Sequence, residues 1–299
     1  MEEVFEKVEN ILRNYPPEFS KNYYDNKKTV KIKEEKQVIK NNCGYYDNDK
    51  NEIRYSKFEA LPHELFHMAF RCKDNLGKEI IKDSGLYYGN GVSFIKYVDD
   101  KPQYYQLALT EGFAEYLSRK CCNFKGQIFN YYFTNLLISI YGEDILKYPL
   151  TNDSYGLIHD SRFSDIIEYG SQLDKLYDAK QTIDLLDMTK DFFRDIKDKK
   201  DILELISIFQ KTQSNYISSI INLFECIIKE YTNYPKNLSK KQFIKMLEEF
   251  LENPDYSNAF AFDDVFFGLD SEYVSLKNEL NLIINKFKKK SRRLFFNLR

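Results

Sequence analysis

The segment His63-Glu64-Leu65-Phe66-His67 constrains this chain more than any other feature of its sequence. Two histidines at positions i and i+4 lie on the same face of an α-helix, one turn apart, so both imidazoles can bind a single metal ion. The chain contains only three histidines, and two of them have this spacing. Chance is therefore a poor explanation of the pair. A hydrogen-bonded position in the core is the usual explanation of a lone histidine, but it explains this pair poorly.

The same segment predicts a catalytic group beside the metal. The sequence indicates a buried helix from His63 to Cys72, with Pro62 in its first turn, where the missing N–H costs little. In an H-E-x-x-H helix the glutamate reaches the water next to the metal and can accept its proton. Glu64 is therefore the predicted general base, and Zn²⁺ is the predicted cofactor.

A second helix, predicted over residues 104–121, carries two glutamates that can complete the site. Glu111 and Glu115 lie one turn apart on the same helical face, among apolar neighbours. A pair of glutamates usually belongs to a solvated face, but these neighbours and the preceding H-E-x-x-H helix argue against that explanation. Either carboxylate can be the third metal ligand.

The two helices, with Thr110-Glu111-Gly112 in the second, resemble the gluzincin metallopeptidases, of the thermolysin and aminopeptidase type. The resemblance covers residues 44–120 and implies that Glu111 is the third zinc ligand. It implies that Glu115 orients a zinc-bound histidine and that Gly112 lets the two helices approach closely. A third histidine at the short spacing of the metzincins is absent from the sequence. The insert between the two motifs is longer than in thermolysin.

His159 and Tyr155 are weaker candidates for the same site. In gluzincins a histidine or tyrosine from the later helical lobe donates a hydrogen bond to the oxyanion of the reaction, and the resemblance implies this role for one of these two residues. They lie in a segment predicted as a loop. A surface or half-buried histidine explains His159 equally well, and a total of 24 tyrosines weakens any single tyrosine assignment.

The pattern along the chain predicts a predominantly helical α+β fold with two lobes. Residues 1–125 are predicted to form a small β-containing, zincin-like catalytic lobe, and residues 126–299 an α-helical lobe. The elements expected in the first lobe are a helix over 2–14, strand structure over 28–40, a hairpin over 44–55 and a loop-rich insertion over 73–101 with one strand at 92–98. Those expected in the second are helices over 126–141, 161–178, 181–211, 215–232, 239–252 and 272–290, with a loop over 253–271.

Composition excludes several classes of protein. The formal net charge is −2, so no nucleic-acid partner is expected. No run is long and apolar enough for a membrane span, and the acidic start of the chain does not resemble an export signal. Five scattered cysteines do not suggest a disulfide framework. We therefore expect a cytoplasmic protein. The basic segment 286–299 is predicted to be a solvated helix end, and partner binding is the less favoured hypothesis.

These observations leave two functions open. The first is a peptidase that hydrolyses a peptide or protein substrate with a water molecule activated by Glu64. The second is a zinc-stabilised regulatory or interaction module without general peptidase activity. The presence of Glu64 favours the enzyme, because a structural metal needs no base. The substrate, the choice between endo- and exopeptidase action, and the oligomeric state do not follow from the sequence.

Overall fold

The computed structural model describes residues 1–36, 43–122, 128–163, 165–193, 199–234, 238–252 and 270–296. The chain has the mixed, predominantly helical α+β fold that the sequence predicts, with its described strands between residues 31 and 105. The α-helices are α1 (Glu2–Leu12), α2 (Pro17–Lys27), α3 (Leu61–Phe70), α4 (Leu107–Cys121), α5 (Ile128–Tyr141), α6 (Lys147–Thr151), α7 (Ser154–His159), α8 (Ile166–Phe193), α9 (Lys199–Asn233), α10 (Lys240–Glu252) and α11 (Asp270–Phe296). The strands are β1 (Lys31–Glu34), β2 (Gly44–Asp47), β3 (Glu52–Tyr55), β4 (Glu79–Ile81), β5 (Leu86–Tyr88), β6 (Phe94–Val98) and β7 (Lys101–Tyr105).

Strands β1 to β3 form a small sheet in the order β1-β3-β2. The predicted hairpin is confirmed, because β2 pairs with β3 in antiparallel register and places Tyr46 opposite Ile53. Both of these side chains are buried, and in β2 the residues on either side of Tyr46 are more exposed. Strand β2 lies at the edge of this sheet and contacts α3. Of the strand structure predicted over 28–40, β1 is present and residues 37–40 lie outside the described chain.

The insertion between the two motif helices is a second sheet. The strand predicted over 92–98 is confirmed as β6, but the prediction that the rest of the insertion is a loop was wrong. Strands β4 to β7 pair in sequence order, each antiparallel to the next. Asp99 and Asp100 connect β6 to β7 with φ of 50° and 57°, as a two-residue type I′ turn requires. The signal of β7 was weak because most of this strand is exposed, and because Pro102 lowers strand propensity. Pro102 lies on the edge strand β7, where its missing N–H is tolerated.

Helix α2 was not predicted, and it supports the end of α3. Pro17 occupies the first position of α2, where its fixed φ favours a helix. From this helix the Asn26 amide donates hydrogen bonds to the carbonyl oxygens of Met68 (3.0 Å) and Arg71 (2.7 Å). The Arg71 guanidinium donates in return to Asn26 Oδ1 at 2.7 Å. These buried contacts satisfy carbonyl groups at the C-terminus of α3 and fix its position.

Gly112 permits a close helix contact, but with α5 rather than with α3 as the resemblance implied. A Cβ atom at this position would lie 1.9 Å from Thr134 Oγ1 and 2.8 Å from the Asn130 carbonyl oxygen, both on α5. No side chain larger than a hydrogen atom fits there without displacement of α5. Helix α5 therefore packs against the side of α4 that carries Gly112.

The chain divides into two compact units, Met1–Gly170 and Ser171–Arg299. This division falls later than the predicted lobe boundary at residue 125, because α5 packs on α4. The Tyr169 hydroxyl also donates to the Phe133 carbonyl oxygen at 2.7 Å, which ties the start of α8 to α5.

The second unit consists of long helices in the residues that the structure describes. The breaks predicted after residues 178 and 211 are wrong, since α8 and α9 run through both places. Thr182 and Thr212 bind the carbonyl oxygens four residues before them, so these polar residues are accommodated inside a helix. The predicted helices over 239–252 and 272–290 are confirmed as α10 and α11. The loop predicted over 253–271 falls almost entirely outside the described residues. No described helix is both long and apolar enough to cross a bilayer.

Candidate metal centre

Helix α3 is buried along its whole length, and it presents both motif histidines to one side. The Nε2 atoms of His63 and His67 are 3.0 Å apart, with their rings at a steep angle to each other. The side chains of His63 and His67 are 10% and 9% exposed, respectively. Both imidazoles are therefore largely buried, but each keeps a small area that water can reach.

Helix α4 brings Glu111 to this pair. Glu111 Oε2 lies 3.2 Å from His63 Nε2 and 3.4 Å from His67 Nε2. The three donor atoms lie within 4.8 Å of one another, although α3 and α4 are separated in sequence by the whole second sheet. The structure thus brings together the three residues that the sequence analysis selected as ligands.

The arrangement of these donors fits a zinc ion. In a tetrahedral site with bonds of about 2.0–2.1 Å, neighbouring donor atoms lie about 3.3 Å apart. The three separations here range from 3.0 to 3.4 Å. Two imidazole nitrogens and one carboxylate oxygen are also the donor set of many catalytic zinc sites, in which the fourth position is open to water or substrate.

Glu115 approaches His63 from the opposite side of its ring. Its side chain is fully buried, and Oε2 lies 3.3 Å from His63 Nδ1. The other oxygen, Oε1, accepts a hydrogen bond from Arg119 Nε at 2.7 Å. A carboxylate in this position fixes the tautomer and the orientation of a metal-binding histidine. Glu111 therefore faces Nε2 of His63 and Glu115 faces Nδ1, so the two glutamates that the sequence left interchangeable are placed differently.

Glu64 packs against Gly44, the first residue of β2. It is 6% exposed, and a Cβ atom at Gly44 would lie 2.6 Å from Glu64 Oε1 and 2.9 Å from its Cγ. Only glycine leaves room for the glutamate in this position. The sequence predicts the hairpin but not the contact of Gly44 with Glu64, because this contact joins two separate segments of the chain.

The ionisable groups of the cluster strongly shift one another's pKa values. Burial acts to lower the pKa of His63, but hydrogen bonds to Glu111 and Glu115 outweigh burial and raise it well above its ordinary value. Burial acts to raise the pKa of Glu111, but electrostatic attraction to His67 and the hydrogen bond from His63 hold it well below its usual range. Burial raises the pKa of Glu64.

A glycine-rich loop before β6 links the two motif helices, and the sequence analysis did not assign it a role. The Asn90 amide donates to the His67 carbonyl oxygen at 3.1 Å. Thr110 Oγ1 accepts from the Val92 N–H at 3.2 Å and lies 3.3 Å from the Asn90 carbonyl oxygen, to which it donates. A Cβ atom at Gly91 would lie 2.8 Å from Thr110 Cγ2. The glycines on either side of Asn90 were the only sequence signal of this close approach.

The two candidate oxyanion residues lie on α7, a short helix where a loop was predicted. Asp153 caps this helix by accepting a hydrogen bond from the Gly156 N–H at 2.8 Å, which explains the helical turn. Tyr155 and His159 are both exposed, and their ring centroids are 4.1 Å apart. Among the described contacts, none joins either residue to His63, His67 or Glu111. Their role at the oxyanion stays a prediction.

Comparison with known proteins gives no relative for this arrangement. No protein-family model matches the chain, no curated protein matches its sequence, and no solved structure matches its fold. The functional assignment therefore depends on the geometry of the chain's own residues.

Proposed function

We propose that this protein is a zinc-dependent peptidase, with His63, His67 and Glu111 as the metal ligands and Glu64 as the general base. The observation that supports the proposal most strongly is the convergence of His63 Nε2, His67 Nε2 and Glu111 Oε2 within 4.8 Å. A structural zinc site normally has four protein ligands, whereas a catalytic site has three and an open position. The described donors number three, and the buried Glu64 directly follows the ligand His63 in α3.

In the proposed reaction, each of these residues has a separate role. When bound, zinc polarises the substrate carbonyl group and lowers the pKa of water from ~15.7 towards ~7. Glu64 accepts the proton that the attacking water loses and delivers it to the leaving nitrogen. The raised pKa of Glu64, caused by its burial, suits a group that must accept and then release a proton. Glu115 keeps His63 in the orientation that ligation requires.

Strand β2 offers a place for an extended substrate. It is an edge strand, so one row of its backbone N–H and C=O groups is not used by the sheet. Its first residue, Gly44, contacts Glu64. A peptide that adds to this edge by backbone hydrogen bonds would therefore pass next to the general base. We expect recognition of this kind to depend mainly on the substrate backbone.

We also propose a reducing, cytoplasmic location. The five cysteines are all described, and none of them forms a disulfide. Structural disulfides are rare in the cytosol, where thiols are kept reduced.

Hydrolysis of a set of unstructured peptides by the zinc-loaded protein, followed by mass spectrometry, tests the proposed activity. We expect cleavage that stops when a chelator removes zinc and returns when zinc is added back. The His67→Ala variant serves as the matched control and should cleave nothing. A protein that is fully loaded with zinc and leaves every peptide intact would instead support the zinc-stabilised interaction module.

A further inference from the structure

Arg119 forms a buried contact that neither the ligand set nor the general base explains. It lies one turn after Glu115 on α4, and its Nε donates to Glu115 Oε1 at 2.7 Å. The side chain of Arg119 is 18% exposed and that of Glu115 is fully buried. The guanidinium carbon lies 3.8 Å from the ring centroid of Tyr131, on α5. Arg119 is therefore held on one side by an aromatic ring and directed at a carboxylate on the other.

The simplest explanation of Arg119 is that it is a cation near the C-terminus of α4, where the helix dipole favours positive charge. The next residue, Lys120, has that character, since its ammonium group pairs with Glu143 on the protein surface. Arg119 differs because its partner has no contact with solvent. A buried carboxylate without a cation is costly, and the planar guanidinium donates in a fixed direction that lysine cannot reproduce.

The two oxygens of Glu115 point to different partners. Oε1 accepts from Arg119, and Oε2 lies 3.3 Å from His63 Nδ1. With one oxygen held, the carboxylate has little freedom to rotate away from the histidine. Tyr131 restricts Arg119 in turn, because a guanidinium stacked on a ring keeps its plane. A chain of contacts thus runs from Tyr131 on α5 to the imidazole of His63 on α3.

We propose that Arg119 is a positioning residue of the metal centre, which holds Glu115 so that its second oxygen orients the imidazole of His63. The proposal rests on the proposed zinc site but not on peptidase activity. Tyr131 is the part of α5 that keeps Arg119 in place. A failure to cleave peptides would therefore leave this inference standing, and a failure of the inference would leave the peptidase standing.

Zinc dissociation constants, measured by competition with a chromophoric chelator, test the proposal. We expect Arg119→Met to raise the dissociation constant about 10-fold, at the lower end of the effects of indirect partners of a metal site. Arg119→Lys keeps the charge but loses the planar donor, and a smaller increase is expected. Lys120→Met is the matched control at the neighbouring position and should bind zinc as the native chain does.

A double-variant cycle separates positioning from a general structural effect. Because Arg119 acts through Glu115, Arg119→Met should have little further effect on zinc affinity when Glu115 is already replaced by Gln. The chain has only three histidines, so ¹⁵N imidazole spectra should also show a changed His63 Nδ1 resonance in Arg119→Met and not in Lys120→Met. Unchanged zinc affinity in Arg119→Met, or the same loss in both backgrounds, would overturn the proposal. If Arg119→Met does not fold, Tyr131→Leu keeps both charges and should weaken zinc binding by roughly 2- to 5-fold; unchanged affinity in that variant would overturn the proposal equally.

Discussion

The Glu64→Gln variant is expected to bind zinc as tightly as the native chain and to hydrolyse peptides about 10²- to 10⁴-fold more slowly, which is the usual contribution of a general base. Glutamine has nearly the shape of glutamate, so the contact with Gly44 and the fold are kept. Its amide cannot accept the proton that water loses. The zinc content and the rate of cleavage of one identified peptide should be measured on the same sample, so that loss of the base is distinguished from loss of the metal.

Glu59→Gln provides the matched control for this variant. Glu59 is an exposed glutamate in the 3-10 turn just before α3, and the same substitution there should leave both zinc content and rate unchanged. A Glu64→Gln protein that cleaves as fast as the native chain would show that Glu64 is not the base. The proposed reaction would then be wrong even if zinc is bound as described.

The Glu111→Ala variant is expected to lose more than about 100-fold in zinc affinity, and Glu115→Ala about 10- to 100-fold. The reason is geometric. Glu111 Oε2 faces the Nε2 atoms of both histidines, at 3.2 and 3.4 Å, whereas Glu115 faces only Nδ1 of His63. A direct ligand contributes a charged bond to the ion, but an indirect partner only orients an imidazole. Dissociation constants of the two single variants measure the difference.

Glu79→Ala, which changes an exposed glutamate at the start of β4, is the control for the loss of a carboxylate as such. A larger loss of zinc affinity for Glu115→Ala than for Glu111→Ala would transfer the ligand role to Glu115. Small and equal losses for both would place the third ligand outside α4. Either result would contradict the assignment made from the resemblance to gluzincins.

The elements that carry the candidate site could be predicted because their signals are local. Helix α3 follows from two histidines at helical spacing within an apolar segment, and α4 from Glu111 and Glu115 one turn apart among apolar residues. The β2–β3 hairpin follows from two short runs around a polar turn. The convergence of His63, His67 and Glu111 came from the resemblance rather than from local pattern, because it joins helices that the second sheet separates.

The features that were missed depend on contacts between distant segments. Strand β7 is mostly exposed, so it lacks the apolar alternation that marks a covered strand. The partner of Gly112 is Thr134 on α5, and nothing in the sequence around a glycine says which helix will approach it. The same holds for Arg119, whose partner Tyr131 is one of 24 tyrosines. Thr182 and Thr212 lie close to the predicted breaks in α8 and α9, and their hydroxyl groups donate to carbonyl oxygens within the helices.

Diffraction from crystals of the protein purified without chelator, recorded on both sides of the zinc absorption edge, tests the central claim most directly. The account predicts about one zinc ion per chain and an anomalous peak at bonding distance, roughly 2.0–2.2 Å, from His63 Nε2, His67 Nε2 and Glu111 Oε2. Crystals of the His67→Ala variant should lack this peak. A native chain that has no anomalous peak between these three atoms after growth with added zinc, or that holds zinc only elsewhere, would contradict the claim.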